Sequence, residues 1–207
     1  MYGMILIENA IERDDEERII DMAVTSRRNW LEEGMAVLEE LGVEALTVEM
    51  LTNRLGITKG SFYHHFRNYQ DFKKNLLDFY EEERTLQIIQ LAERETSPQA
   101  KLERIMRATL QPSRLEAVMR AWALQDVFVR EHQQHIDQQR LAYLEELIFA
   151  QTDNRAHATR MARLFYSIYV GSQHIVPPIQ SYDLAHLYQE ALPLLNLAVD
   201  TPSSEVV

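Results

Sequence analysis

The chain has 207 residues, 46% of them apolar, a net charge of −11 and no cysteine. It can bury a real core, and it excludes disulfides and cysteine-ligated zinc. No apolar run approaches the roughly 18–20 residues that span a bilayer, and the opening MYGMILIENAIERDDEER lacks the basic start and cleavage site of a secretory signal. The expected location is the cytoplasm.

Few breakers (6 Gly, 6 Pro) among abundant Leu, Ala, Glu, Gln and Arg predict an all-α chain. Residues 1–25 read as an acidic extension, with two basic against seven acidic side chains over 1–23. A first helix follows Ser26, carried by Trp30, Met35, Leu38 and Leu41 and stopped by Gly42. Thr47 caps a second, with Val48, Leu51 and Leu55 inward, and Gly56 breaks it. Thr58 caps a third over Lys59 to Phe66, held to the core by Phe62 and Phe66. Asn68 caps a fourth that runs to about Leu91. Ser97-Pro98 opens another. A long stretch from Arg114 to Thr152 breaks near Gln125-Asp126, and Asp153 or Asn154 caps a helix that Pro177-Pro178 ends. The last helix covers about Asp183 to Val199, kinked or shortened by Pro193. These breaks divide the chain into the extension 1–25, a first helical domain 26–73 and a second helical domain 74–207.

The informative segment is TVEMLTNRLGITKGSFYHHF, Thr47 to Phe66. Two short helices joined by a tight turn at Leu55-Gly56-Ile57 make a helix-turn-helix, whose second helix offers its N-terminal half to the major groove. Thr47, Thr58, Lys59 and Ser61 can bond phosphates or base edges, Gly60 lets backbone come close, and Tyr63, His64 and His65 add polar-tipped rings. Residues 24–74 hold seven basic and seven acidic side chains, so this segment is neutral within an acidic protein.

The segment from about Arg27 to Phe72 resembles the DNA-binding domain of the TetR (tetracycline-repressor) family, above all in Thr58-Lys59-Gly60-Ser61-Phe62-Tyr63-His64-His65-Phe66. The resemblance implies a homodimeric transcriptional regulator, a repressor that binds double-stranded DNA and is released by a small-molecule effector. It also implies that the last two long helices pair in the dimer and the middle helices enclose the effector. Arg27 and Arg28 keep a remnant of the family's basic arm. Tyr69 stands where the family commonly has a phosphate-contacting Lys, and is expected to offer one neutral hydrogen bond there.

Leu164, Ile168, Leu184, Leu187, Leu192 and Leu195 give apolar faces for a second copy of the chain. Trp122, Tyr143, Phe165, Tyr166 and Tyr169 are candidate pocket residues among aromatics that mostly fill the core. Arg140, Arg160 and Arg163 are expected to pair with neighbouring acids. His132 and His135 have an i, i+3 spacing open to metal, but no third ligand is evident, so a solvated face is expected, with no metal and no cofactor. An enzyme is not expected, because no paired carboxylates, phosphate loop or nucleophile–base pair is present. The other reading kept open is a helical protein-interaction module of the same fold that has lost DNA binding.

Overall fold

The computed structural model describes residues 26–196; the acidic extension and the C-terminal tail lie outside them. The described residues contain helices and no strand. They form two compact units, one ending at Tyr80 and the other beginning at Glu81.

In the first unit, α1 (Arg27–Leu41) opens with a capping box. Ser26 Oγ accepts from Asn29 N, and Asn29 Oδ1 accepts from Ser26 N at 2.9 Å. A 3-10 turn (Val43–Ala45) leads to α2 (Val48–Leu55), where Thr47 Oγ1 accepts from Met50 N at 3.1 Å. Gly56 ends α2 at φ 70°, ψ 27°, a left-handed conformation that suits glycine. Next come α3 (Lys59–His65) and α4 (Tyr69–Glu81), with Asn68 Oδ1 accepting from Asp71 N at 2.9 Å. Thr58 takes the expected cap position of α3, but its side chain makes no capping bond.

The core of this unit is aromatic. Trp30 meets the Phe62 ring edge-on at 5.4 Å, and Phe62, Phe66 and Phe72 stand 5.1–5.4 Å apart. Burying each such ring contributes about 1.5–3 kcal/mol. The packing is tight where α1 crosses α4, because a Cβ on Gly34 would lie 2.9 Å from Phe72 Cζ and 3.0 Å from Leu76 Cδ1.

The second unit starts with a π-helical turn, Glu82–Leu86. The fourth helix foreseen as unbroken to Leu91 is thus α4, this turn and α5 (Gln87–Ala92) in succession. Then follow α6 (Pro98–Ala108), α7 (Arg114–Gln125), α8 (Val127–Thr152), α9 (Arg155–His174) and α10 (Ser181–Ala191). Ser97, Ser113, Asp126 and Asn154 cap α6 to α9 through their side chains. The last helix ends at Ala191, and Leu192–Asn196 continues as a 3-10 turn. Pro193 has no N–H to give and its ring crowds the preceding turn, so the α-helical ladder stops there. Leu102, Leu144, Ile148, Phe165, Leu184 and Tyr188 centre the core of this unit.

Candidate DNA interface and effector cavity

Helix α3 sorts its residues by face. Ser61, Phe62 and Phe66 are buried and His65 is half-buried, while Lys59, Gly60, Tyr63 and His64 are exposed. The inner set recurs at i, i+1, i+4 and i+5, the stripe a helix turns toward its support. Ser61 is therefore a correction to the sequence reading. It is 3% exposed, its hydroxyl meets no partner among the described residues, and its position beside Phe62 on the inner stripe turns it away from base edges. His65 is drawn inward for the same reason, its ring 5.2 Å from that of His64. Tyr63 stands 58% exposed on the outer face.

Lys59 Nζ lies 3.9 Å from Glu49, with both side chains largely in water, a pair too exposed to hold the lysine back from a phosphate. Thr58 is exposed and its hydroxyl is not spent on the helix end. A Cβ on Gly60 would meet only Thr58 Oγ1, at 3.6 Å. Nothing among the described residues demands glycine there, and the space before it is open to a backbone approaching from solvent.

Around this helix, the Arg27 guanidinium sits 5.2 Å from the Phe66 ring centroid. Arg28 is bonded to Glu32 at 2.7 Å and stacked over Phe79. Arg54 binds Glu33 and Glu40, locking α2 to α1. Arg67, exposed just past α3, donates its backbone N–H to Asp71 Oδ2 at 3.0 Å, while its guanidinium pairs with no acid among the described residues and joins the candidate phosphate contacts. Tyr69 is placed otherwise than expected. Its hydroxyl donates to the Leu46 carbonyl at 2.8 Å, so its proton ties the start of α4 to the loop before α2.

In the second unit, Tyr143, Phe165, Tyr166 and Tyr169 all line one cavity of about 60 Å³. Trp122 does not; it is buried in α7, another correction. Most of the remaining wall, such as Ile89, Leu102, Ile105 and Met106, is aliphatic and carried no signal beyond ordinary helix periodicity.

One side of the cavity abuts a charged network. Buried Glu116 accepts from Arg120 Nε at 2.9 Å and from Arg140 at 3.1 and 3.2 Å. Arg120 also forks onto Asp137 at 2.9 and 3.0 Å. Tyr166 donates to Asp137 at 2.7 Å and Tyr169 to Glu116 at 3.2 Å. Burial pushes the Tyr166 hydroxyl up to about 12, and burial beside Glu116 raises Tyr169 as well. Burial works against the Asp137 charge, yet the Arg120, Tyr166 and Gln133 bonds outweigh it and hold this carboxyl below its usual range. Arg140 thus pairs with an acid, as expected. Arg160 and Arg163 are exposed.

His132 and His135 do not present a wholly solvated face. Their Nε2 atoms lie 3.2 and 3.4 Å from the Glu81 carboxylate, which draws both imidazoles. No group of three His, Asp or Glu arranged to hold a metal occurs among the described residues.

The expected dimer residues divide. Leu164 and Leu187 are exposed, at 36% and 41%. Ile168 and Leu192 are half-buried against the core. Leu184 and Leu195 are buried in it and cannot face a partner, which corrects the sequence reading; both lie on the side of their segment that packs on α9. Ile175, Val176, Tyr182 and Leu194, not foreseen, are exposed nearby in the chain.

Residues 31–72 match the family model described as bacterial regulatory proteins, tetR family. No curated protein sequence matches the chain. Among solved structures, the fold is similar to a transcriptional regulator from Rhodococcus sp. Rha1 (TM-score 0.69, 18% identity, 83% of this chain and 96% of that one). It is similar also to E. coli NemR in its reduced form (TM-score 0.68, 16% identity, 81% and 96%). A TetR transcription regulator from Haloarcula marismortui ATCC 43049 shares it too (TM-score 0.62, 20% identity, 81% and 97%).

Proposed function

We propose that this chain, a DNA-binding transcription regulator with a TetR-family helix-turn-helix domain, is a cytoplasmic homodimeric repressor that a small-molecule effector releases from duplex DNA. The observation that carries the DNA-reading part is the outer face of α3. Thr58, Lys59, Tyr63 and His64 are exposed together around a glycine with open space before it, on a helix locked by Phe62 and Phe66. Donors on a fixed helix start can bond phosphates and base edges at once, and rigidity keeps the ordering cost low. Exposed Leu164 and Leu187 support pairing through α9 and α10, because apolar side chains at a helix surface favour burial against a second copy. The cavity supports an effector that acts by linkage. A ligand that prefers the conformation poor in DNA affinity lowers that affinity by its own difference in binding to the two states.

Selection of bound sequences from random duplex DNA tests the reading. The expected outcome is an enriched site with two half-sites related by two-fold symmetry. Absence of both an enriched sequence and any salt-dependent shift of duplex DNA would defeat it and leave the protein-interaction module.

A further inference from the structure

The cavity in the second unit has an aliphatic side, with Ile88, Ile89, Leu102 and Ile105 on it, and a hydroxyl-bearing side. The hydroxyl protons on that second side can be accounted for one by one. Tyr143 donates to Glu93, Tyr166 to Asp137 and Tyr169 to Glu116. Thr109 Oγ1 donates to the Ile105 and Met106 carbonyls at 3.1 Å, so in its 3.3 Å contact with Tyr188 the tyrosine is the donor. Every tyrosine proton on the wall is spent within the protein; the Tyr166 oxygen also accepts from Arg120 at 2.8 Å and Arg140 at 3.5 Å, so the lone pairs left for a ligand are those of Tyr143, Tyr169 and Tyr188. Thr85 differs. Its oxygen accepts from Arg140 Nε at 3.0 Å, and its proton has no partner among the described residues.

The charges are also spent. Two arginines, Arg120 and Arg140, are matched by Glu116 and Asp137. A carboxylate entering the cavity would lose its water, find most of the Arg140 donors in use and approach two carboxylates already bonded there. Arg84 also borders the cavity, but it is exposed, so an anion there would remain in water and gain little.

We propose that the effector is a compact, neutral, largely hydrocarbon molecule carrying a hydroxyl, and that carboxylates of the same shape are refused. This rests on the effector reading above. The ligand hydroxyl donates to a tyrosine oxygen and accepts from Thr85, whereas an ether oxygen can only accept. The cavity, about 60 Å³, is less than half of the roughly 150 Å³ that takes a benzene ring. A single-ring ligand therefore enters only as the wall gives, and Met106, unbranched and flexible, is the wall residue best suited to move.

The full chain is titrated by calorimetry with p-cresol, 4-methylanisole, toluene and 4-methylbenzoate. The expected result is saturable p-cresol binding, about tenfold tighter than 4-methylanisole for the one hydrogen bond lost, with no detectable 4-methylbenzoate binding. Ile105→Phe, or Ile89→Phe from another helix of the wall, fills the cavity and abolishes p-cresol binding while far-UV circular dichroism stays helical. If 4-methylbenzoate binds as tightly as p-cresol, the neutral class is overturned and the effector cavity stands. Equal binding of 4-methylanisole and p-cresol overturns the donor requirement. Binding that survives in whichever filled variant folds, or no binding by any of the four probes, overturns the proposal and the effector-cavity reading together.

Discussion

Removing one oxygen from Tyr69 distinguishes an anchor within the protein from a contact to DNA. The hydroxyl donates to the Leu46 carbonyl at 2.8 Å, and Leu46 is buried. Tyr69→Phe keeps the ring, whose centroid lies 6.0 Å from that of Phe72, and deletes the donor. A neutral hydrogen bond contributes about 0.5–1.5 kcal/mol net, and a buried acceptor left without its partner costs about 1–3 kcal/mol. Since the phenol is only half-buried and water can replace part of the bond, the expected loss is about 1–2 kcal/mol. The assay is urea unfolding followed by Trp30 fluorescence in a Trp122→Phe background, which reports the first unit. With a slope of about 2 kcal/mol per molar, the midpoint should fall by about 0.5–1 M. The salt dependence of DNA binding should not change. Stability within about 0.3 kcal/mol of the parent, together with duplex DNA binding weaker by about 0.5–1.5 kcal/mol for the one neutral hydrogen bond deleted, would refute the anchor and return Tyr69 to the phosphate path.

Four other outcomes follow from the same geometry. Lys59→Ala and Tyr63→Ala should each weaken operator binding by about 1–3 kcal/mol with unfolding unchanged, read by gel shift; Lys59→Ala should also flatten the salt slope, and unchanged affinity in both would remove α3 from the interface. Gly34→Ala should destabilise the first unit by about 1–3 kcal/mol of overpacking against Phe72 and Leu76, lowering its thermal midpoint, and an equal or higher midpoint would show that the α1–α4 contact has slack. Leu164→Glu and Leu187→Glu should yield folded monomers in sedimentation, because both side chains are exposed within the chain, and dimers in both variants would move the interface. Asp137 is held below its usual range, so its stabilising contribution is present above about pH 4 and lost as pH falls through the folded value; in urea titrations at pH 6, 4 and 3, Asp137→Asn should lose less stability on acidification than the parent, and identical acid limbs would refute the pairing.

Local rules carried the first unit. Ser26, Thr47, Gly42, Gly56 and Asn68 act within four residues of themselves, so their roles can be read from neighbours alone. The same short range explains the errors. Ser61 and His65 are polar residues beside buried phenylalanines, and residue type suggested solvent where the helical angle points inward. The Tyr69–Leu46 bond joins positions 23 apart, and no local pattern announces it. In the second unit the limit is stronger. The tyrosines and Phe165 signalled a cavity because they are large and partly polar. The aliphatic wall from α5 and α6 repeats with the same period as any core face. Leu184 and Leu187 lie three residues apart on one helix, yet one is core and the other surface, a difference set by where α9 lies.

The charged network beside the cavity needs a reason, because a buried ion cluster seldom outperforms an apolar core in stability. Its outermost bonds supply one. Arg140 donates from Nη2 to the Arg84 carbonyl at 3.3 Å and from Nε to Thr85 Oγ1, both within the π turn Glu82–Leu86. A π turn closes its bonds one residue farther along than an α-helix does, as Gln87 N does onto Glu82 O, and it is a rare, costly conformation that tends to occur at functional sites. Arg140 meets it with two donors, and Glu116 and Tyr166 hold the guanidinium that supplies them. The charges thus fix a position in addition to the stability that Asp137 contributes. They hold a helical irregularity that forms part of the cavity wall, through an arginine most of whose donors are committed within the chain. One set of contacts therefore shapes the backbone at the cavity and, on the proposed effector reading, disfavours an anion entering it.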